Sequence, residues 1–467
     1  MKLARVVAIV VVIVLIGLGG FVAFAWRSEI AAIDPPQPQS FDAALVQKGA
    51  TLAALGNCNS CHSAPAGKSF AGGLALPTPF GTIYSTNITP DPDTGIGRWS
   101  EAAFIRAMRE GVDREGNHLY PAFPYDHFTK VTDDDDKALY AYLMTRTPVR
   151  AEAPANDLPF PLNVRLVLAG WKALFFESGP YVIDRAHDPQ WNRGAYLVQG
   201  LGHCGSCHTP RNALGAEERG QEFAGGEAEG WTAYALDASS PAPVPWDADA
   251  LKAYLASGWH AHHGVARGPM AEVTANLGTV PDEDVQAIAT YVASVMGPPS
   301  DAAKARGDKL LQQPGVHQPG TDAQTAGTQT IPVKADGQDQ GALIYAGACS
   351  SCHDAGRPLP YGGIKLNLST AVNGPDPSNP INVILYGLPA AEGQKSPVMP
   401  GFQGVLNDGQ MAALLTYMRM TFSDKPAWND LEDKVADIRK GDREMTVHAA
   451  DGTSSAPANP TRQNTSW

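Results

Sequence analysis

Outside residues 6–25 the chain has no uncharged apolar run long enough to cross a bilayer, and it has no excess of positive charge. Its 35 Lys and Arg stand against 48 Asp and Glu, a formal charge of −13. That balance excludes generic binding to a phosphate backbone, which needs clustered cations, so nucleic acid is not an expected partner. No glycine-rich loop follows a strand pattern and no nucleophile elbow is present, so the sequence offers neither hydride-transfer nor hydrolytic chemistry. Gly and Pro, 47 and 38 of 467 residues, make the chain loop-rich without a collagen period, and 43% hydrophobic residues exclude a mostly disordered polymer. At roughly 150 residues per domain, the length suggests about three domains.

The run at 6–25 follows Lys2 and Arg5 and closes at Trp26-Arg27. As a helix rising 1.5 Å per residue it just spans the roughly 30 Å of bilayer hydrocarbon. Ala23-Phe24-Ala25 also fits a small-residue cleavage site, but the run exceeds the usual ~7–15 residues of a signal peptide, so an uncleaved anchor is the preferred reading. The two N-terminal cations place the N-terminus in the cytoplasm and everything after residue 27 outside it. The expected location is the cell inner membrane, with one N-terminal anchor and the bulk in the periplasm.

All six cysteines fall in three copies of one pattern: Cys58-Asn59-Ser60-Cys61-His62, Cys204-Gly205-Ser206-Cys207-His208 and Cys349-Ser350-Ser351-Cys352-His353. C-x-x-C-H is the attachment signature of c-type haem, in which two thiols form thioethers to the porphyrin and the adjacent His supplies the proximal iron ligand. A zinc site would need four converging ligands, and a redox dithiol would not need His next door each time. Successive motifs are 146 and 145 residues apart, which predicts three similar domains holding three covalent haem c groups. A helical pattern precedes each motif, at 42–57, 191–203 and 341–348, and another closes each repeat, at 133–144, 282–296 and 408–420. Tyr142, Tyr291 and Tyr417 on the closing patterns are expected to pack against the leading ones.

A Met sulfur opposite His raises a haem's potential relative to a second nitrogen. Met270, in Gly268-Pro269-Met270, and Met399, in Val398-Met399-Pro400, sit in Pro-flanked segments read as loops with no helical face to fill, and are the expected sixth ligands of the second and third haems. Gly258 and Gly387 each precede that Met by 12 residues, but 12 residues after Gly111 stands Phe123, which cannot coordinate iron. The first haem is therefore either five-coordinate or bound by His127, Met108, His118 or Met144. His127 is the preferred candidate, and it implies a lower potential for that haem.

Four acids at 133–136 read as a solvated helix start, with a docking patch for a basic partner as the alternative. His260, His262 and His263 read as surface-loop residues rather than a metal site. The apolar pattern at 163–176 is too polar to span; it is expected to be buried between domains or to lie on the membrane or a partner.

With these residues in view, the chain resembles the three-haem cytochrome c subunits of bacterial membrane-bound dehydrogenases, those serving alcohol, aldehyde, gluconate or sorbitol, and nicotinate-type enzymes. The likeness runs over about 45–422, through the three motifs and phrases such as Asn87-Ile88-Thr89-Pro90, Leu119-Tyr120-Pro121-Ala122, Thr209-Pro210-Arg211-Asn212 and Gly268-Pro269-Met270-Ala271. It implies a subunit that takes electrons from a catalytic partner and delivers them to ubiquinone or a terminal oxidase, and that is not an enzyme alone. In the alcohol dehydrogenase type a Met follows the Leu-Tyr-Pro-Ala phrase. Phe123 in its place brings the chain nearer to the cytochromes that accompany molybdenum-cofactor enzymes with an Fe–S subunit than to quinoprotein or flavoprotein partners. The expected fold is mainly α, with three tandem class I cytochrome c domains behind one transmembrane helix. The segments are an anchor (1–27), a first domain (40–150), a connector (151–185), a second domain (186–297), a linker (298–340), a third domain (341–425) and a tail (426–467). The rival readings are a haem peroxidase or ligand-binding cytochrome with an open first haem, and a stand-alone respiratory carrier.

Overall fold

The apolar run folds, in a computed structural model that describes residues 2–312, 338–354, 357, 360, 362–389 and 397–441, as one helix, Lys2–Ala25. Its Val, Ile and Leu side chains are exposed, and it is the one helix among the described residues long and apolar enough to cross a membrane. The chain leaves it directly into backbone hydrogen bonds. Ile30 N–H donates to the Arg114 carbonyl at 2.9 Å and Ile33 N–H to that of Arg98 at 3.0 Å.

Two compact units follow from the contacts: one holds the described chain through His187 together with Ala195–His203, the other Asp188–Gly194 and the described residues from Cys204 to 441. One helix-pair frame recurs three times. The leading helices are Ala43–Leu55, Pro189–Gln199 and Gln338–Ala348; the closing helices are Asp133–Met144, Asp282–Met296 and Asp408–Phe422. Side-chain oxygens of Asp42, Thr132 and Asn407 start three of them by accepting free first-turn N–H groups.

Each pair crosses on a glycine. A Cβ on Gly49 would lie 2.0 Å from the Ala138 carbonyl oxygen and 2.6 Å from Tyr142 Cβ. On Gly194 it would lie 2.0 Å from the Ala287 oxygen and 2.8 Å from Tyr291 Cβ, and on Gly341 2.1 Å from that of Ala413 and 2.8 Å from Tyr417 Cβ. The three tyrosines thus pack on the leading helices, as their spacing implied. The tyrosine pattern alone did not reveal that glycine makes the approach possible.

Between leading and closing helices lie Glu101–Glu110, Ala248–Ser257 and Ser378–Tyr386, which end on Gly111, Gly258 and Gly387 at φ of +59°, +71° and +73°. After each the chain doubles back: through a bridge between Val112 and His118, through the antiparallel pair Trp259–His260 and Gly264–Val265, and through a bridge between Leu388 and Met399. The third repeat's core joins Ile381, Leu385, Met411, Leu414 and Leu415.

Several expectations change here. The stretch read as a linker begins with a helix, Asp301–Gln312, because Ser300 accepts from Ala303 N–H and the helix formers Ala, Lys and Leu dominate its turns. The segment read as a tail contains the helix Leu431–Lys440, whose buried Leu431 and Val435 complete the third core; the residues after 441 lie outside the described ones. In the connector the apolar pattern is helical only over Leu168–Phe175, after a tight turn at Arg165–Val167. The four acids do start a helix but are not all solvated. Asp135 and Asp136 are buried, Lys48 Nζ lies 2.6 Å from Asp135, and Arg109 pairs with Asp133 and Asp136. That pairing leaves little free charge for a docking patch.

Candidate haem sites

Each Cys-x-x-Cys-His motif lies on a short helix of its own after the leading one, Cys58–Cys61, Gly205–His208 and Ser350–His353, so the two thiols and the imidazole leave the chain within about one turn. None of the six cysteines is paired in a disulfide. Burial pushes the Cys58 and Cys204 thiols up to about 12 and that of Cys349 to about 11.

The three histidines share one geometry. His62 Nδ1 is 2.6 Å from the Thr86 carbonyl, His208 Nδ1 is 2.6 Å from that of Tyr234, and His353 Nδ1 is 2.9 Å from that of Ile364. A carbonyl only accepts, so Nδ1 carries the hydrogen and Nε2 keeps its lone pair for a metal. Burial also lowers the basicity of all three rings, which favours the neutral, ligating form. Beside His353, a Cβ on Gly363 would fall 2.7 Å from Nδ1, so the backbone closes directly on the ring.

The positions opposite are less uniform. Met270 is not in a loop: Pro269 starts the helix Pro269–Leu277 and Met270 is its second residue. Just ahead of it, His263 Nδ1 and Arg267 Nε are buried without a hydrogen-bond partner, which suits a segment facing an anionic, hydrogen-bonding group such as a haem propionate. His263 stacks on Trp246 at 3.5 Å and is buried, so the histidine cluster belongs to a packed hairpin rather than a surface loop. Met399 is held by reciprocal backbone bonds with Leu388, at 2.8 and 3.0 Å, and packs on the third core.

Around the first motif, His118 is engaged through both nitrogens, Nε2 at 2.8 Å from the Ala25 carbonyl and Nδ1 at 3.1 Å from Lys172 Nζ. Met108 and Met144 are buried core residues of their helices. His127 is buried with Nδ1 2.8 Å from the Gln199 carbonyl, the same ring arrangement as the three motif histidines. Phe123 pairs edge-on with Phe128 at 5.2 Å.

Sequence reading missed the contacts that join the second and third repeats. Asn379 and Thr232 exchange hydrogen bonds of 2.8 and 2.9 Å, Asn382 donates to the Gly230 carbonyl at 3.1 Å, and Arg267 Nη2 donates to that of Gly387 at 3.2 Å. The last of these ties the segment before Met270 to the turn that pairs with Met399. No local pattern signals such pairs, because each partner is a lone amide or guanidinium far away in sequence.

Paired thiols and a lone-pair imidazole on each short helix, with buried polar atoms left for an anionic group, define a c-type cytochrome. Comparison with known proteins agrees. The cytochrome c family matches residues 46–147. The chain is 35% identical over 424 residues to the fructose dehydrogenase cytochrome subunit of Gluconobacter japonicus, covering 88% of this chain and 86% of that one. It is 36% identical over 428 residues to the gluconate 2-dehydrogenase cytochrome c subunit of Pantoea cypripedii, covering 88% and 92%. It is 46% identical over 421 residues to a nicotinate dehydrogenase subunit of Pseudomonas putida, covering 89% of this chain but only 34% of that longer protein. The chain belongs to the family of cytochrome c subunits of membrane-bound bacterial dehydrogenases, and its role is electron transfer.

Proposed function

We propose that the chain is a periplasmic relay of three class I cytochrome c domains, held to the inner membrane by its N-terminal helix, that carries electrons from a catalytic dehydrogenase subunit to ubiquinone or a terminal oxidase. The observation that carries this reading is the threefold recurrence of one frame, with a leading helix, a Cys-x-x-Cys-His turn whose Nδ1 is fixed by a backbone carbonyl, and a closing helix. Cys58 and Cys61, Cys204 and Cys207, and Cys349 and Cys352 would attach the three haems, with His62, His208 and His353 as proximal ligands. Met270 and Met399 would complete the second and third, and His127, whose Nδ1 is set by the Gln199 carbonyl as in the motif histidines, the first. Bound haem supplies one-electron redox chemistry; the protein's part is to ligate, bury and space the irons.

The 46% identity to a nicotinate dehydrogenase subunit, against 36% to the cytochrome c subunit of a quinone alcohol dehydrogenase, supports a partner of the nicotinate type, which the family resemblance links to a molybdenum cofactor, over a quinoprotein alcohol dehydrogenase. The test is to solubilise native membranes gently, follow this protein by its haem absorbance, identify what travels with it and ask which aldehydes or alcohols reduce the haems. A co-purifying dehydrogenase and substrate-driven reduction are expected. A solitary protein whose haems ignore every substrate would overturn the complex in favour of a stand-alone carrier or a peroxidase.

A further inference from the structure

The chain around the Leu168–Phe175 helix presents exposed apolar side chains beside the N-terminal helix. Between residues 160 and 176 the only charges are Arg165 and Lys172; Lys172 turns inward, and Arg165, its side chain 37% exposed, leans back toward the first repeat. Lys172 is buried, with Nζ 2.6 Å from the Glu110 and Gly111 carbonyls and 3.1 Å from His118 Nδ1. Arg165 lies 3.7 Å from Asp113 and over the Tyr120 ring. The outward face is apolar: Phe160 is 81% exposed, Leu174 63% and Val164 41%.

The location of this helix decides what covers that surface. A Cβ on Gly170 would lie 3.7 Å from the Phe21 ring, so the two helices touch there. Phe21 is four residues inside the end of Lys2–Ala25, a depth of about 6 Å at the helical rise per residue. A helix touching the span at that depth lies within the ~5–10 Å headgroup and acyl boundary where interfacial helices bury their apolar faces. The join is also stiff. His118 holds the Ala25 carbonyl at 2.8 Å, Arg106 Nη1 the Ser28 carbonyl at 2.7 Å, and Arg114 pairs with Glu29 at 2.9 Å.

We propose that Leu168–Phe175 and the turn from Phe160 to Val164 form a second membrane contact, an interfacial platform that seats the first haem-binding repeat on the bilayer surface. The occupant is lipid, not a partner protein, because the patch is continuous with the apolar N-terminal helix. The inference rests on that helix being an uncleaved anchor. Lys172, whose amine would ordinarily reach for headgroups, instead fastens the platform to the repeat above it, and His118 joins the platform, the anchor's last carbonyl and the first repeat into one rigid piece.

The test uses the full-length holoprotein in native membranes, with a benzophenone amino acid placed separately at Ile13, Phe160 and Leu174. All three are exposed, and the haem spectrum checks that each variant folds. Lipid adducts at Ile13, Phe160 and Leu174, in yields of the same order, are expected. Adducts at Ile13 with none at Phe160 or Leu174 would leave the anchor standing and overturn the platform. Cross-links from Leu174 to another polypeptide would also overturn it, in favour of a subunit interface. Loss of adducts at all three positions would overturn the anchor reading, and the platform with it.

Discussion

Gly341 and Gly347 lie on the same helix, and substitution by Ala should act on them in opposite directions. At Gly341 the new Cβ would sit 2.1 Å from the Ala413 carbonyl oxygen and 2.8 Å from Tyr417 Cβ, and a backbone oxygen on a packed helix has nowhere to rotate. The helix pair must separate by about 1 Å, and overpacking of this kind costs on the order of 3 kcal/mol or more. Replacing Gly by Ala within a helix returns about 1 kcal/mol, leaving a net loss of about 2 kcal/mol at the upper end of the overpacking range, where a clash with backbone belongs. For a domain near 100 residues that lowers the melting temperature by roughly 8–16 °C. At Gly347 nothing lies within 4 Å, so only the favourable propensity change of up to about 1 kcal/mol remains. Soret circular dichroism during heating of the holoprotein reads both. An unchanged or raised transition for Gly341→Ala would refute the close crossing, and by the repeat would undermine the same claim for Gly49 and Gly194.

Further outcomes follow from the same geometry. Cys204→Ser with Cys207→Ser should remove about one third of the covalently bound haem, by stoichiometry with three independent attachment sites, measured as pyridine haemochrome per protein. His127→Ala should turn the first haem high-spin and leave the other two low-spin by electron paramagnetic resonance; an unchanged low-spin spectrum would assign the sixth ligand elsewhere. Met270→His should lower the potential of the second haem in a spectroelectrochemical titration, because a nitrogen replaces sulfur. Burial pulls the Lys172 amine down to about 7 from its ordinary 10.5. Between those values the unfolded chain holds the proton and the folded chain does not, so stability should rise with pH through that window and be lowest below it. Lys172→Met should flatten that slope in denaturant titrations across the range.

Much of the chemistry was legible in sequence because it is local. Cys-x-x-Cys-His needs one helical turn to present two thiols and an imidazole, so spacing alone marks the proposed attachment sites and, repeated three times, the number of haems to expect. The closing helices were equally visible: 133–144 and 282–296 were read from periodicity at the limits Asp133–Met144 and Asp282–Met296 that the structure assigns. The helices Asp301–Gln312 and Leu431–Lys440 were not, the first because it sits in a stretch read as a linker, the second because its apolar stripe is only Leu431, Val435 and Ile438 and becomes a core through its partners. Met270 was read as a loop residue because Pro269 looked like a breaker, whereas Pro in the first turn of a helix lacks only an N–H that has no partner there. Tertiary structure alone decided that His118 meets the Ala25 carbonyl and Lys172, that Arg267 reaches Gly387, and that Asp135 and Asp136 are paired inside the fold. Those choices join residues tens to more than a hundred positions apart, and the direction in which a buried donor or charge finds its partner is set by packing, not by the residues beside it in the chain.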